Sequence, residues 1–336
     1  MRQFFIAITL FNIVFMLPAK IEAARHALIV CGSGGTEEYT VKFNTWGKEL
    51  KSVLLNDMHF PARYTTLIAS ATEAYIQPRL NALQKCFQRI EFHLKDNDEL
   101  YLFLIGHGSY IDGECKFQIP GPDLTASQLN NMLARVKANR IIMINTTSAS
   151  AGFINALSGG NRVLCTAVKS VNETNATEFM HFFLEALKTG SADRNFDGRI
   201  SVLEACEKAA ALTTSYYKSE KLLATEHPIL DDNGDGLGTP LPMVNSATET
   251  VDAPPKPKSD GALAAKTYLK NFAFPASTPR QWIEEYQTAM DAIAALKQQK
   301  SQMETDIYYK RLESLLIQAA KISRKIRSQD LQARFD

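Results

Sequence analysis

The sequence predicts an α/β protein: an open, mostly parallel sheet covered by helices on both faces, with a separate helical tail. Three observations carry this. From Ala27 to about Leu230, short apolar runs alternate with longer segments of helical periodicity. The runs are almost unbroken by polar residues, so both of their faces are buried, as in a parallel sheet. After Gly238 the composition shifts to Pro, Ser, Thr and Ala, and from residue 281 it turns helical.

The runs are Ala27–Val30, Thr65–Ala69, Leu100–Ile105, Ile141–Ile144 and Val163–Ala167. A sixth, Leu222–Leu230, contains Pro228, which cannot donate to a ladder and demotes the run to an edge or a loop. Between the runs lie the helices. Phe43, Trp46, Leu50, Val53 and Leu54 recur at spacings of three and four. The next helix has Pro78 in its first turn and a stripe of Leu80, Leu83, Phe87, Ile90 and Leu94. Thr125 and Gln128 fit a capping box before Leu129, Met132, Leu133 and Val136. A short helix is expected over Phe153–Leu157, and Glu178–Leu187 carries an aromatic stripe.

The chain divides into residues 1–23, a main domain over 24–238, a Pro-rich linker over 239–280 and a helical segment over 281–336. Arg2, the apolar run Phe4–Leu17, Pro18 and the small residues Ala23 and Ala24 read as a cleavable export signal. The run falls short of the roughly 20 residues of a membrane span, and an uncleaved anchor is the competing reading. The protein is therefore expected to be periplasmic or secreted, with no membrane contact beyond that signal. The linker leaves room for a short helix over Ala262–Leu269. In the tail, one stripe is Ile283, Tyr286, Met290, Ile293 and Leu296, and a second is Leu312, Leu315, Leu316, Ala319, Ile322 and Ile326. Polar Lys297–Glu304 separates them, so the tail is a two-helix hairpin or one strand of a coiled coil. Such stripes need a partner, either the main domain or a second copy.

A net charge of +1 excludes electrostatic attraction to nucleic acid or to a membrane surface. The five cysteines, Cys31, Cys86, Cys115, Cys165 and Cys206, are odd in number and unpaired in spacing. They read as buried free thiols rather than as a disulfide framework. Gly32-Ser33-Gly34-Gly35 follows the first run like a phosphate loop. It has Glu37 where the dinucleotide fingerprint needs Gly or Ala, and no Walker lysine follows, so no organic cofactor is expected.

In open parallel sheets, chemistry gathers beyond the carboxyl ends of the strands. The third run ends in Ile105-Gly106-His107-Gly108-Ser109, with the histidine held between glycines. That placement suits a general base, although a lone histidine is also common as a structural residue. The fourth run leads into Asn145-Thr146-Thr147-Ser148-Ala149-Ser150-Ala151-Gly152-Phe153. A nucleophile there would lie near His107 and near free N–H groups at a helix start. The alternative is a Ser/Thr-rich turn capping that helix.

These two segments together resemble the caspase-like cysteine peptidases, and within them the legumain-like group and its bacterial relatives. There, strand-x-His-Gly-Ser is followed on the next strand by a Cys-x-Ser-Gly-Gly-Phe loop. The resemblance runs from about Leu28 to Gly238 and includes Gly32–Gly35, Asn161-Arg162, Thr166-Ala167 and Thr225-Glu226-His227. It implies a three-layer sandwich around a six-stranded sheet. It also implies His107 as catalytic base, the Gly108 N–H in the oxyanion hole, and a peptide or protein ligand. The departure is at the nucleophile: Ser148 stands on the cysteine position. A thiol supplies a useful thiolate fraction near neutral pH, whereas a hydroxyl depends on a well-oriented base. An impaired site, serving to bind a peptide or a partner, is therefore expected. A Ser148–His107 hydrolase is the alternative.

Asp193-Arg194-Asn195-Phe196-Asp197-Gly198-Arg199-Ile200-Ser201-Val202-Leu203-Glu204 fits the EF-hand calcium loop at each diagnostic position. Asp193, Asn195 and Asp197 would give side-chain oxygens, Arg199 its carbonyl, Ser201 a direct or water-borne contact and Glu204 the bidentate closure. A structural Ca2+ is expected. Asp231, Asn233 and Asp235 begin a second acidic loop in the same way, but Pro242 occupies its twelfth position. It is a half-site or an Asx-rich turn.

Overall fold

The computed structural model describes residues 23–69, 79–194, 198–243, 259–270 and 278–332. Residues 1–22, on which the expected export signal falls, and Pro78, Asn195 and Asp197 lie outside the described residues.

The central strands are β1 (Arg25–Cys31), β2 (Thr65–Ala69) and β3 (Glu99–Ile105). A small antiparallel sheet follows, made of β4 (Gly108–Ile111), β5 (Glu114–Phe117) and β6 (Leu124–Thr125). The chain continues through β7 (Arg140–Asn145), β8 (Arg162–Thr166), β9 (Ile200–Ser201), β10 (Ile229–Asp231), β11 (Thr239–Pro240) and β12 (Tyr268–Lys270). The helices are α1 (Glu37–Asn56), α2 (Leu80–His93), α3 (Ala126–Leu133), α4 (Gly152–Leu157), α5 (Phe179–Lys188), α6 (Val202–Ser219), α7 (Arg280–Gln298) and α8 (Thr305–Gln332).

The main sheet has seven strands in the order β11-β10-β8-β7-β3-β1-β2. β2, β1, β3, β7 and β8 are parallel, while β10 and β11 are antiparallel. The six-stranded expectation is thus corrected to seven, in a mixed sheet. The sixth run divides: 222–228 is a loop, one of the two expected outcomes, and its last residues enter β10, which is not an edge because β11 covers it. Leu222 and Leu223, read as part of that run, are exposed.

Period-two burial divides the strands between two cores. Ala27, Ile29, Cys31, Tyr101, Phe103 and Ile105 face one core with α1, α5 and α6. Leu28, Val30, Leu100, Leu102 and Leu104 face the other with α2, α3 and α4. The capping box of α3 forms as expected: Gln128 N–H donates to Thr125 Oγ1 at 3.1 Å and Thr125 N–H to Gln128 Oε1 at 3.1 Å. It satisfies two of the helix's first N–H groups.

The tail is a two-helix hairpin rather than a single coiled-coil strand. Tyr286, Ala289 and Ile293 of α7 meet Ala319 of α8, with Met290, Leu312, Leu315 and Ile322 alongside. Leu316, read as part of the stripe, is exposed. No helix among the described residues is long and apolar enough to cross a membrane.

Part of the expected linker is folded. Residues 259–270 form a strap across the amino ends of the parallel strands. Arg25 and Arg140 donate to the Leu269 and Lys266 carbonyls at 2.7 and 3.0 Å, and the Tyr101 hydroxyl donates to the Tyr268 carbonyl at 3.1 Å. The Asp232 carboxylate accepts from the N–H groups of Gly261, Leu263 and Ala264 at 2.7–2.8 Å. In return, Asp260 accepts from the N–H groups of Asp232 and Asn233. These captures explain why Ala262–Leu269 is a 3₁₀ turn at Ala264–Lys266 followed by β12, and not a helix. Asp232→Ala leaves three donors without their acceptor. It is expected to lower stability by about 2–3 kcal/mol in urea unfolding and to speed proteolysis within 259–270. An unchanged midpoint would show that the strap contributes nothing to folding.

Candidate functional site

His107 follows β3 and Ser148 follows the neighbouring β7, so both stand at the carboxyl edge of the sheet as expected. The His107 ring is half-buried. Tyr39 and Phe43 of α1 meet it edge-on, with centroids 4.8 and 5.0 Å away. Burial lowers its pKa and the Lys42 ammonium lowers it further, while a hydrogen bond to the Gly34 backbone pulls the other way. The imidazole is thus biased toward its neutral form.

The loop after β7 is held at almost every residue. Asn145 Oδ1 accepts from Thr147 N–H at 3.1 Å and Thr147 Oγ1 at 2.8 Å. Thr146 donates through N–H and Oγ1 to the Leu104 carbonyl at 2.9 and 3.0 Å. Ala149 N–H donates to the Glu173 carbonyl at 2.8 Å, with Ala149 at φ +51°. That left-handed conformation is one a residue with a Cβ adopts only when its surroundings hold it there.

Ser148 is buried at 2% exposure. Its Oγ accepts from Gly108 N–H at 3.1 Å and donates to the Gly108 carbonyl at 3.0 Å. Among the described residues these are the only partners of the hydroxyl. The structure therefore brings Ser148 and Gly108 together but makes no Ser148–His107 hydrogen bond. The N–H that the peptidase resemblance assigns to an oxyanion is engaged by the serine. Gly108 is obligatory here, since a Cβ would come within 2.3 Å of the Ser148 carbonyl oxygen and 2.8 Å of Thr147 Oγ1.

No cysteine replaces Ser148. All five are free and buried, as the sequence suggests. The nearest to the loop, Cys115, donates to the Ala149 carbonyl at 3.2 Å, and burial raises its pKa. It packs behind the loop.

Sequence reasoning missed a polar cluster on the same edge. Glu226 is 3% exposed and accepts from the N–H groups of Glu178 and Phe179, at 2.9 and 3.0 Å, at the start of α5. The Tyr217 hydroxyl also donates to it at 3.0 Å. Burial pushes Glu226 up to about 7 against the lowering effect of these donors, and pushes Tyr217 to about 12. Glu178 pairs with Lys42, and His227 Nδ1 pairs with Glu173. The only sequence signal was Thr225-Glu226-His227, read as text flanking the resemblance.

The 193–204 loop is described except at 195–197. Gly198 has φ +78°, the sharp turn required at its position, and its N–H donates to Asp193 Oδ2 at 2.9 Å. Glu204 Oε2 accepts from Ser201 N–H at 3.0 Å and Ser201 Oγ at 2.8 Å, which starts α6 with a capping box. Arg199 stacks over the Tyr268 ring at 4.4 Å, and β9 pairs with β12 of the strap. In the second acidic loop the side chains close on their own backbone. Asp231 accepts from Gly234 N–H, Asn233 from Asp235 N–H and Asp235 from Leu237 N–H. The last two are Asx turns. Burial raises the pKa of Asp231, and Asp260 and Asp235 raise it further.

No family model matches the chain, and no curated protein matches it.

Proposed function

We propose that the chain is an exported homologue of the caspase-like, legumain-type peptidases whose nucleophile position has become structural, and that it binds a peptide or protein ligand without cleaving it. The observation that carries this is the double hydrogen bond of Ser148 to Gly108. A hydroxyl that spends its proton on a carbonyl and its lone pair on the oxyanion donor is not poised for attack. The ring it would need faces Tyr39, Phe43 and Gly34 instead.

The purified chain is expected to leave a peptide-substrate library uncleaved, with no difference in His107→Ala or Ser148→Ala. Turnover that disappears in both variants would overturn the reading in favour of a Ser148–His107 hydrolase.

A structural Ca2+ on the 193–204 loop belongs to the same proposal, supported by the Gly198 turn and the Asp193 contact. Glu204→Gln separates calcium from capping, because Gln also completes a capping box but loses the bidentate charge. Chelation is expected to lower wild-type stability by about 2–3 kcal/mol if Ca2+ stands near 100-fold over its Kd. The Glu204→Gln variant should not respond. Equal thermal midpoints with and without chelator in the wild type would remove calcium from the account.

A further inference from the structure

Asp98 stands just before β3, at the amino edge of the sheet, opposite the edge that carries His107 and Ser148. It is 6% exposed. Its carboxylate accepts from Ala24 N–H at 2.8 Å through Oδ1 and from Lys95 N–H at 2.9 Å through Oδ2. The Glu99 N–H donates back to the Ala24 carbonyl at 3.0 Å. Ala24 and Asp98 thus continue by one step the β1–β3 register, in which Arg25 faces Glu99. Neutral N–H groups offset only part of the desolvation of a buried carboxylate, so burial favours a charged partner. His26 Nε2 lies 3.4 Å from Oδ2. Burial lowers the His26 pKa more than Asp98 raises it, which biases the ring toward its neutral form. Ala23, one residue upstream of the contact, is exposed.

We propose that export cuts the peptide bond between Ala23 and Ala24, and that the amino group so created binds Asp98 as an ammonium ion. The cut rests on the export reading; the ion pair rests on the Ala24 N–H that already stands on Asp98. Water is the co-reactant. Its hydroxyl goes to the Ala23 carbonyl carbon and its hydrogen to the Ala24 nitrogen. The free amine then takes a proton from solvent, since an α-amino group is mostly protonated at neutral pH. The nitrogen that bonds Asp98 as a neutral amide now bonds it with a charge, which is the stronger hydrogen bond at the same position. A cut one residue later, after Ala24, removes both bonds between the two segments. It also puts Glu22 at the third position before the cut, where an export signal has a small residue. A cut after Ala23 puts apolar Ile21 there. The ion pair draws the start of β1, an inner strand of the sheet, against β3. Only the cut chain can form it, so the precursor is the less stable of the two.

The test begins with the full chain, expressed from its own start and sequenced from the N-terminus after recovery outside the cytoplasm. The expected first residue is Ala24. A second measurement compares two purified chains released from a fusion, one beginning at Ala24 and one retaining residues 20–23. The longer chain keeps an amide at Ala24 and carries its amino group elsewhere. Because Ala23 is exposed, the extension can pass into solvent. The longer chain is expected to melt lower by on the order of 5 °C. In Asp98→Asn, which keeps an acceptor but loses the charge, the two chains should melt together. Processing that leaves any other first residue overturns the cut. An intact leader sinks the export reading and the cut with it. Equal midpoints for the two unmutated chains overturn the ion pair, whichever bond is cut. That comparison uses the native Asp98, so it decides the pairing even where Asp98→Asn folds poorly.

Discussion

Gly108→Ala is expected to destabilise the protein by about 2–3 kcal/mol, read as a lower urea midpoint at unchanged slope. The cause is steric and backbone-borne. A Cβ at residue 108 would meet the Ser148 carbonyl oxygen at 2.3 Å, so the start of β4 and the loop after β7 must separate. Ser148→Ala asks the complementary question without a clash. It leaves the Gly108 N–H and carbonyl without their partner in a buried setting, for a cost of about 1–3 kcal/mol. A working nucleophile behaves otherwise, because active-site groups commonly cost stability and their removal is neutral or favourable. Ser148→Ala with an unchanged or raised midpoint would therefore favour a catalytic role for Ser148. Loss in both variants would mark the contact between these two segments as part of the fold.

The parallel strands were legible because burial on both faces leaves an unbroken apolar run. All of β3 after Glu99 is buried, and no other pattern was needed to find it. The strands that escaped have no such run. β11 is Thr239–Pro240, two residues paired with nearby β10, and β12 is Tyr268–Lys270, placed by β9 far along the chain. The strap shows why. Its backbone is captured by Arg25, Tyr101, Arg140 and Asp232, none of which is near it in sequence, while its own composition reads as linker. At the site, the identity of Ser148 was legible but its hydrogen bonds were not. Residue spacing put a hydroxyl near His107, and only the rotamer shows that it turns to Gly108 instead. Glu226 was out of reach for a third reason: the N–H groups it caps lie 47 and 48 residues upstream, beyond any local capping pattern.

Glu226 makes stability depend on pH in a window where few carboxylates titrate. In the folded protein it titrates near 7, against 4.5 for an unperturbed glutamate. The folded state thus favours the protonated form. The stability that this preference supplies is complete below about pH 4.5, where folded and unfolded chains alike are protonated. It declines as pH rises through 7, because the unfolded chain has released its proton while the folded chain still holds it. The full span amounts to about 3 kcal/mol. Glu226→Gln removes the titration, so the stability difference between wild type and variant should shift against the wild type by about that amount between pH 4.5 and 8. Groups common to both proteins, including the Glu178–Lys42 and His227–Glu173 pairs, cancel in the difference. Parallel curves across the window would show that the N–H groups of Glu178 and Phe179 and the Tyr217 hydroxyl hold the carboxylate charged despite its burial. The consequence reaches the site through one contact. Thr177, just before α5, donates to the Thr146 carbonyl in the loop that carries Ser148. Loosening the start of α5 at higher pH therefore loosens the hold on that loop, and amide exchange at Thr147 and Ser148 should quicken with pH more than intrinsic chemistry requires.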